Sequence, residues 1–196
     1  MERMEGYENA QAMNAGERES IEPGGYICRI IGAEERLSRN NKKMLVIYFD
    51  IAEGEKADFY KRRFEEDRNA NTDVTKVVNW KGVYRQMLEG EKAINYLKGL
   101  MDTLKESNPG FEWDWDERKL AGLKFGGLFG REEYEKQDGT GTTFATKLRF
   151  IRTVDFIVKG NYEVPADRLL QRTENPFVTN TNPFGNTADN EDTLPF

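Results

Sequence analysis

Apolar residues recur along this chain with two different periods, and the switches between them mark its elements. After the turn signal Pro23-Gly24-Gly25, residues 26–33 form a short run rich in β-formers, which predicts a first strand. The polar loop 36–43, Arg-Leu-Ser-Arg-Asn-Asn-Lys-Lys, suits a hairpin connection. Residues 44–51, Met-Leu-Val-Ile-Tyr-Phe-Asp-Ile, are apolar nearly throughout and predict a central strand that stops at Glu53-Gly54. Between 59 and 73 the chain is mostly charged and carries no clear period. Residues 74–80 then alternate Val74, Lys76, Val78 and Trp80 against Thr75, Val77 and Asn79, predicting a third strand.

From 91 to 106 the period changes. Ala93, Ile94, Leu97, Leu100, Met101 and Leu104 share one face of a helix, and Asn108-Pro109-Gly110 ends it. Residues 123–134 read as a strand in which Gly126-Gly127 suggests a bulge or sharp bend. Asp138-Gly139 marks a hairpin turn, and 143–158 reads as a long final strand with Phe144, Leu148 and Phe150 opposite Lys147 and Arg149. Three strands, a helix and two strands make the chain mainly β with one principal helix, in the α+β class. That order is the one found in the five-stranded OB barrel, although other α+β domains share it. The expected organisation is a flexible segment over 1–20, an OB-like nucleic-acid-binding domain over 21–160 and a disordered acidic tail over 161–196.

Composition narrows the chemistry. The 196 residues include no histidine and one cysteine, Cys28. That excludes Ser-His-Asp and Cys-His nucleophile systems, imidazole bases, intramolecular disulfides and Cys-rich metal sites. No apolar run approaches the length of a membrane span, and the polar start lacks a signal peptide's apolar stretch, so a soluble cytoplasmic protein is expected. The formal net charge of -6 is unevenly spread. Residues 1–20 carry -3 and residues 161–196 carry -4, which leaves the body at +1. An acidic total therefore does not argue against a nucleic-acid partner, because the acid excess sits in the two ends.

Those ends are poor in aliphatics and rich in Asn, Gly, Glu and Thr, as segments that cannot offset their ordering entropy tend to be. The C-terminal one repeats a Pro-Phe pair at Pro176-Phe177, Pro183-Phe184 and Pro195-Phe196. The last eight residues are Asp189-Asn190-Glu191-Asp192-Thr193-Leu194-Pro195-Phe196. This tip resembles the acidic tip of bacterial and bacteriophage single-stranded-DNA-binding proteins. The resemblance implies an OB-fold DNA-binding domain followed by a linker whose tip docks replication, recombination and repair proteins. It covers only the tip, and it departs from the usual bacterial form: Leu194 stands in the Ile place, and Asn190 and Thr193 interrupt the acids. The body looks more like the phage or mobile-element versions. In physical terms, Phe196 offers a ring and a terminal carboxylate to a partner pocket, and Pro195 limits the entropy lost on docking. Asp189, Glu191 and Asp192 add steering along a basic rim, and Leu194 adds apolar area.

A sequence-tolerant site for single-stranded DNA needs cations for phosphates and flat rings on which bases stack. The candidates fall into four groups. The loop after the first strand carries Arg36, Arg39, Lys42 and Lys43; Tyr60, Lys61, Arg62 and Arg63 follow; Lys76, Trp80, Lys81, Tyr84 and Arg85 form a third; Lys147 and Arg149, with Arg152 beyond, form a fourth. Tyr48 lies on the second strand, whose face, with that of the third, lines the ligand groove of an OB barrel. Each group also has a plain structural reading. Charged loops are commonly solvated, Trp80 suits a core anchor, and Tyr84 and Met87 suit a helical stripe. The segment 111–116 interleaves rings with acids, so its aromatics are assigned to packing.

No catalytic constellation emerges. Glu117-Arg118-Lys119 matches half of a metal-dependent nuclease motif without an Asp-bearing strand before it, and Glu132, Glu133 and Glu135 alternate across a strand. The Gly-rich 122–130 stretch lacks the Gly-Lys-Ser/Thr of a phosphate loop. The expectation is a non-enzymatic single-stranded-DNA-binding protein acting in replication or recombination, with no cofactor or metal, no membrane partner, and room for a homo-oligomer. A replication adaptor that binds no DNA, or a carboxylate- and Mg²⁺-dependent nuclease, are the alternatives.

Overall fold

The computed structural model describes Tyr7 and residues 19–73, 75–136 and 138–170. The acidic tip 189–196, its Pro-Phe repeats and nearly all of the 1–20 segment lie outside the described residues. The chain forms β1 (Gly24–Leu37), β2 (Lys43–Ile51), α1 (Phe59–Ala70), β3 (Val83–Met87), α2 (Ala93–Ser107), β4 (Lys124–Glu135), β5 (Thr142–Arg152) and α3 (Val154–Val158), with a 3₁₀ turn at Glu117–Leu120. All strands belong to one antiparallel sheet in the order β3-β2-β1-β4-β5. The class is α+β.

β1 is the shared strand. Its first half, Gly24 to Arg29, pairs with β4, while Cys28 to Leu37 pairs with β2, and the register slips between Ile30 and Gly32 so that Ile31 has no partner. Alternation then sorts the side chains. Cys28 and Ile30 of β1 and Leu45, Ile47, Phe49 and Ile51 of β2 face the core. Phe49 sits at its centre, edge-on to Tyr60, Phe125 and Phe129 with ring centroids 5.4, 5.6 and 6.2 Å away. Each fully buried Phe contributes roughly 1.5–3 kcal/mol. α2 closes this core with Leu100, Met101 and Leu104. Cys28 is fully buried and burial pushes its thiol far above the ordinary range, so it remains a protonated core residue.

Three elements depart from the sequence reading. Of the segment expected as a third strand, 74–80, the described residues 75–80 are irregular, and the third strand is Val83–Met87 instead. Local polar chemistry wins there: Asp73 accepts from the backbone N–H and hydroxyl of Thr75, Asn71 donates to the Lys76 carbonyl, and Val77 is 81% exposed. The charged stretch after 59 is a helix, α1. Asp58 gives it no side-chain cap; the buried carboxylate of Asp50 on β2 does so instead, accepting from the backbone N–H groups of Tyr60 (2.8 Å), Lys61 (2.9 Å) and Ile51 (2.8 Å). Burial pushes the Asp50 carboxyl above the usual carboxylate range while these donors pull it down. The expected last strand stops at Arg152, and Thr153 caps α3 by accepting from the Phe156 N–H.

The Gly126-Gly127 pair serves close approach. A side chain at Gly126 would collide with Ile157 and the Thr153 carbonyl, so the glycine lets α3 lie on β4. The pairing irregularity falls one residue later, where Leu128 faces Phe150 and Phe129 faces Leu148, which leaves Arg149 of β5 unmatched. Residues beyond 160 continue onto the body: Tyr162 accepts from the Gly25 N–H, and Arg168 bridges to Glu132.

Removing the Asp50 carboxylate strands three N–H groups, two of them at the start of α1 and one at the end of β2. Asp50→Ala should lower the urea unfolding free energy by about 2–4 kcal/mol. Because the folded pKa lies above the unfolded one, the parent's margin over Asp50→Ala should be largest below the usual carboxylate range and shrink as pH rises through the window between the two values. Trp80 donates from its indole N–H to the Phe49 carbonyl (3.0 Å) and packs on Phe64, so Trp80→Ala should cost about 3 kcal/mol in the same measurement. Lys81→Ala should stay within about 0.5 kcal/mol of the parent.

Candidate functional site

The face of β1, β2 and β3 turned away from the core carries a strip of cations around one ring, Tyr48. Register places Arg36, Met44 and Met87 side by side at one end, then Glu34, Val46 and Arg85, then Gly32, Tyr48 and Val83. Tyr48 is half-buried and lies between two arginines. Its hydroxyl donates to Glu34 Oε1 at 2.6 Å, and the same oxygen receives Arg36 Nε at 2.8 Å. The Tyr48 bond, with Arg36 behind it, holds the Glu34 carboxyl below its ordinary range, and that carboxylate raises the Tyr48 phenol in turn. The ring is thereby held in place. The two carboxylates on this strip are both engaged, Glu34 by Tyr48 and Arg36, and Asp50 by the α1 backbone.

The candidate cations divide by whether an acid already holds them. Lys43 pairs with Glu35, Arg62 with Glu19, Arg63 with Asp67, Lys76 with Asp73 and Lys147 with Glu132. Arg39 and Lys42 in the β1–β2 loop, Lys61 at the start of α1, Lys81 just before β3 and Arg85 on β3 make no ion pair among the described residues. The free cations follow the strip. Arg39 and Lys42 extend it past Arg36 at one end, and Lys81 and Lys61 flank the other, where the Lys61 N–H meets Asp50. Free charges are the ones that phosphates would neutralise.

The rings expected beside cations take different places. Tyr60 is 7% exposed and Trp80 is tied to the Phe49 carbonyl, so both build the core while Lys61 and Lys81 point outward. Tyr84 also faces inward against the core. Of the four candidate rings only Tyr48 lies on the outer strip.

Two features had no clear signal in the sequence. Phe111 and Trp113 pack against the core as expected, but Trp115 is 74% exposed at a left-handed φ of 69° and stacks obliquely on Trp113. With Ile94, Leu97 and Leu88, Trp113 and Trp115 line a cleft of about 300 Å³, and the buried Trp113 indole N–H has no hydrogen-bond partner among the described residues. The second is a slot between the free edges of β3 and β5, lined by Tyr84, Tyr96, Arg149, Phe150 and Arg152. Seeing either in advance required knowing which edges and faces meet.

The carboxylates considered for metal chemistry are dispersed or engaged. Glu132 is held below its ordinary range mainly by Lys147, and Glu133 accepts from Thr142 and from the Leu170 N–H. Among the described residues, no group of three acids or thiols is placed to hold a metal ion, and no helix is long and apolar enough to cross a membrane. Among known proteins, no family model matches this chain and no curated sequence matches it.

Proposed function

We propose that this protein binds single-stranded DNA without enzymatic action, through an OB-like body, and recruits replication or recombination proteins through its C-terminal tip. The observation that carries the reading is the strip on β1, β2 and β3. A ring fixed by hydrogen bonding lies between Arg36 and Arg85, and four further cations free of acid partners, Arg39, Lys42, Lys61 and Lys81, lie along it. Bases stack on a ring of any sequence context, and dispersed cations follow a phosphate backbone without reading it, which is the chemistry of sequence-tolerant binding. The sheet order supports an OB-like body, since β3 and β5 are the two strands such a barrel joins and α2 lies between β3 and β4.

The tip works by a separate mechanism. The Phe196 ring would enter an apolar pocket of the partner, with Leu194 and Pro195 packing beside it. Asp189, Glu191 and Asp192 would also compete with phosphates for the cationic strip.

Fluorescence anisotropy with a labelled oligothymidylate tests the body. Affinity should fall with salt at a log-log slope near -0.7 for each phosphate neutralised, and Arg85→Ala should make that slope shallower by about 0.7. Tyr48→Ala should weaken binding about 5- to 150-fold, the loss of one stacked base, while Tyr48→Phe keeps the ring and should bind like the parent. Absence of binding at low salt, both for the full chain and for a chain ending at residue 188, would overturn the reading. Strand cleavage on adding Mg²⁺ would move it to a nuclease. Deletion of 189–196 should tighten binding at low salt and abolish capture of the tip's partners, whereas Phe196→Ala should spare DNA affinity.

A further inference from the structure

β3 and β5 are the open edges of the sheet, and the space between them is shaped and charged unlike the rest of the surface. The slot holds about 430 Å³ and is floored by α2, where Leu100 is buried and Gly99 leaves open space. Three rings reach it, one from each surrounding element: Tyr84 from β3, Tyr96 from α2 and Phe150 from β5. Tyr96 is 62% exposed and Phe150 is 44% exposed, with the Arg152 guanidinium over the latter at 5.2 Å. Arg149 and Arg152 bring two positive charges, and no carboxylate lines the slot itself; the nearest acids are Glu132 of β4, which the Arg149 charge helps hold below its ordinary range, and Glu163 beside Arg152.

Arg149 is there because of an irregularity. Its neighbours Leu148 and Phe150 pair with consecutive residues of β4, so Arg149 is the extra residue of a bulge, a device that re-aims a side chain. Its Nη1 is buried without any hydrogen-bond partner. A buried guanidinium nitrogen with nothing to bond is costly unless a ligand oxygen completes it.

We propose that the β3–β5 slot is a second nucleotide-binding site, taking one unit of the same DNA strand that crosses the outer strip. Its phosphate sits on Arg149 and Arg152, and its base stacks on Tyr96 or Phe150. The exposed amide of Asn95 lies at the slot and can meet base-edge donors and acceptors, whereas Gln86 is buried in its wall, accepting from the Tyr84 hydroxyl and donating to the Met87 carbonyl. Slot and strip meet along one strand: Arg85 of β3 faces the strip, while Tyr84 and Gln86, the residues on either side, face the slot. A strand leaving the strip over β3 therefore reaches the slot directly. Rings on three sides suit a base better than they suit a carboxylate side chain, which favours nucleic acid over an acidic peptide. This inference rests on the proposed single-stranded-DNA binding.

The test compares oligothymidylates of about 4 and about 16 residues, the limits of what one OB fold covers, on the full chain. Tyr96→Ala and Arg149→Gln should weaken the long oligonucleotide at least about 5-fold and leave the short one within twofold, while Tyr96→Phe binds like the parent. Photocrosslinking with iododeoxyuridine in the long oligonucleotide should label peptides from α2 or β5 as well as β2. If the parent binds the long oligonucleotide and neither slot variant changes its affinity or crosslinks, the slot inference fails and DNA binding on the strip stands. If the parent binds neither oligonucleotide, both fail. A third outcome also overturns the slot inference: the variants spare DNA but lose binding of a peptide of residues 189–196, which would assign the slot to the acidic tip.

Discussion

The two-sided pairing of β1 is the constraint on which the rest depends. One strand of 14 residues is shared lengthwise, β4 taking its first half and β2 its second, with the register slip at Ile31 between them. That slip changes which residue pairs where, so the strand bends and both halves keep their apolar residues on the core side. Cys28 and Ile30 stay under Phe49 and Phe125, while Gly32, Glu34 and Arg36 turn outward beside Tyr48 and Met44. The outer strip is therefore the complement of the core. Moving the second half of β1 by one residue would turn Arg36 toward the core and Ala33 out of it.

The same sorting decides which charges are free. Glu34 and Asp50 occupy outer positions of β1 and β2, yet neither presents a bare carboxylate, because Tyr48 and Arg36 hold one and the start of α1 holds the other. Asp50 thus links structure to surface: it caps α1, and through that cap it sets Lys61 at the end of the strip. On the opposite edge, the bulge in β5 delivers Arg149 into the slot. Both irregularities in the sheet, at Ile31 and at Arg149, adjoin the strip and the slot.

Much of the scaffold was legible in residue order because its signals are local. The run 44–51, the helical stripe through Leu97 and Leu104 and the Asp138-Gly139 turn each carry their period or turn chemistry within a few residues. α1 was not legible, because its cap comes from β2 and only Phe59 and Tyr60 of its 12 residues are buried. The alternation at 74–80 misled because turns at Asp73 and Thr75, together with the approach of Gly82 to the Phe49 carbonyl, override it. The cations were visible individually, but which of them an acid already holds depends on partners distant in sequence, as Glu19 is from Arg62. Tyr96 lies off the apolar stripe of its helix and Phe150 was expected on one face with Phe144 and Leu148; only the meeting of α2 with the two open edges brings the two rings together.

The most direct test is a backbone amide NMR titration of the isotopically labelled full chain with an oligothymidylate of about 16 residues. The account predicts shifts concentrated in the β1–β2 loop, the outer positions of β2 and β3 around Tyr48 and Arg85, and the edges that line the slot. Shifts absent from these positions, or concentrated instead around Trp113 and Trp115, would contradict it.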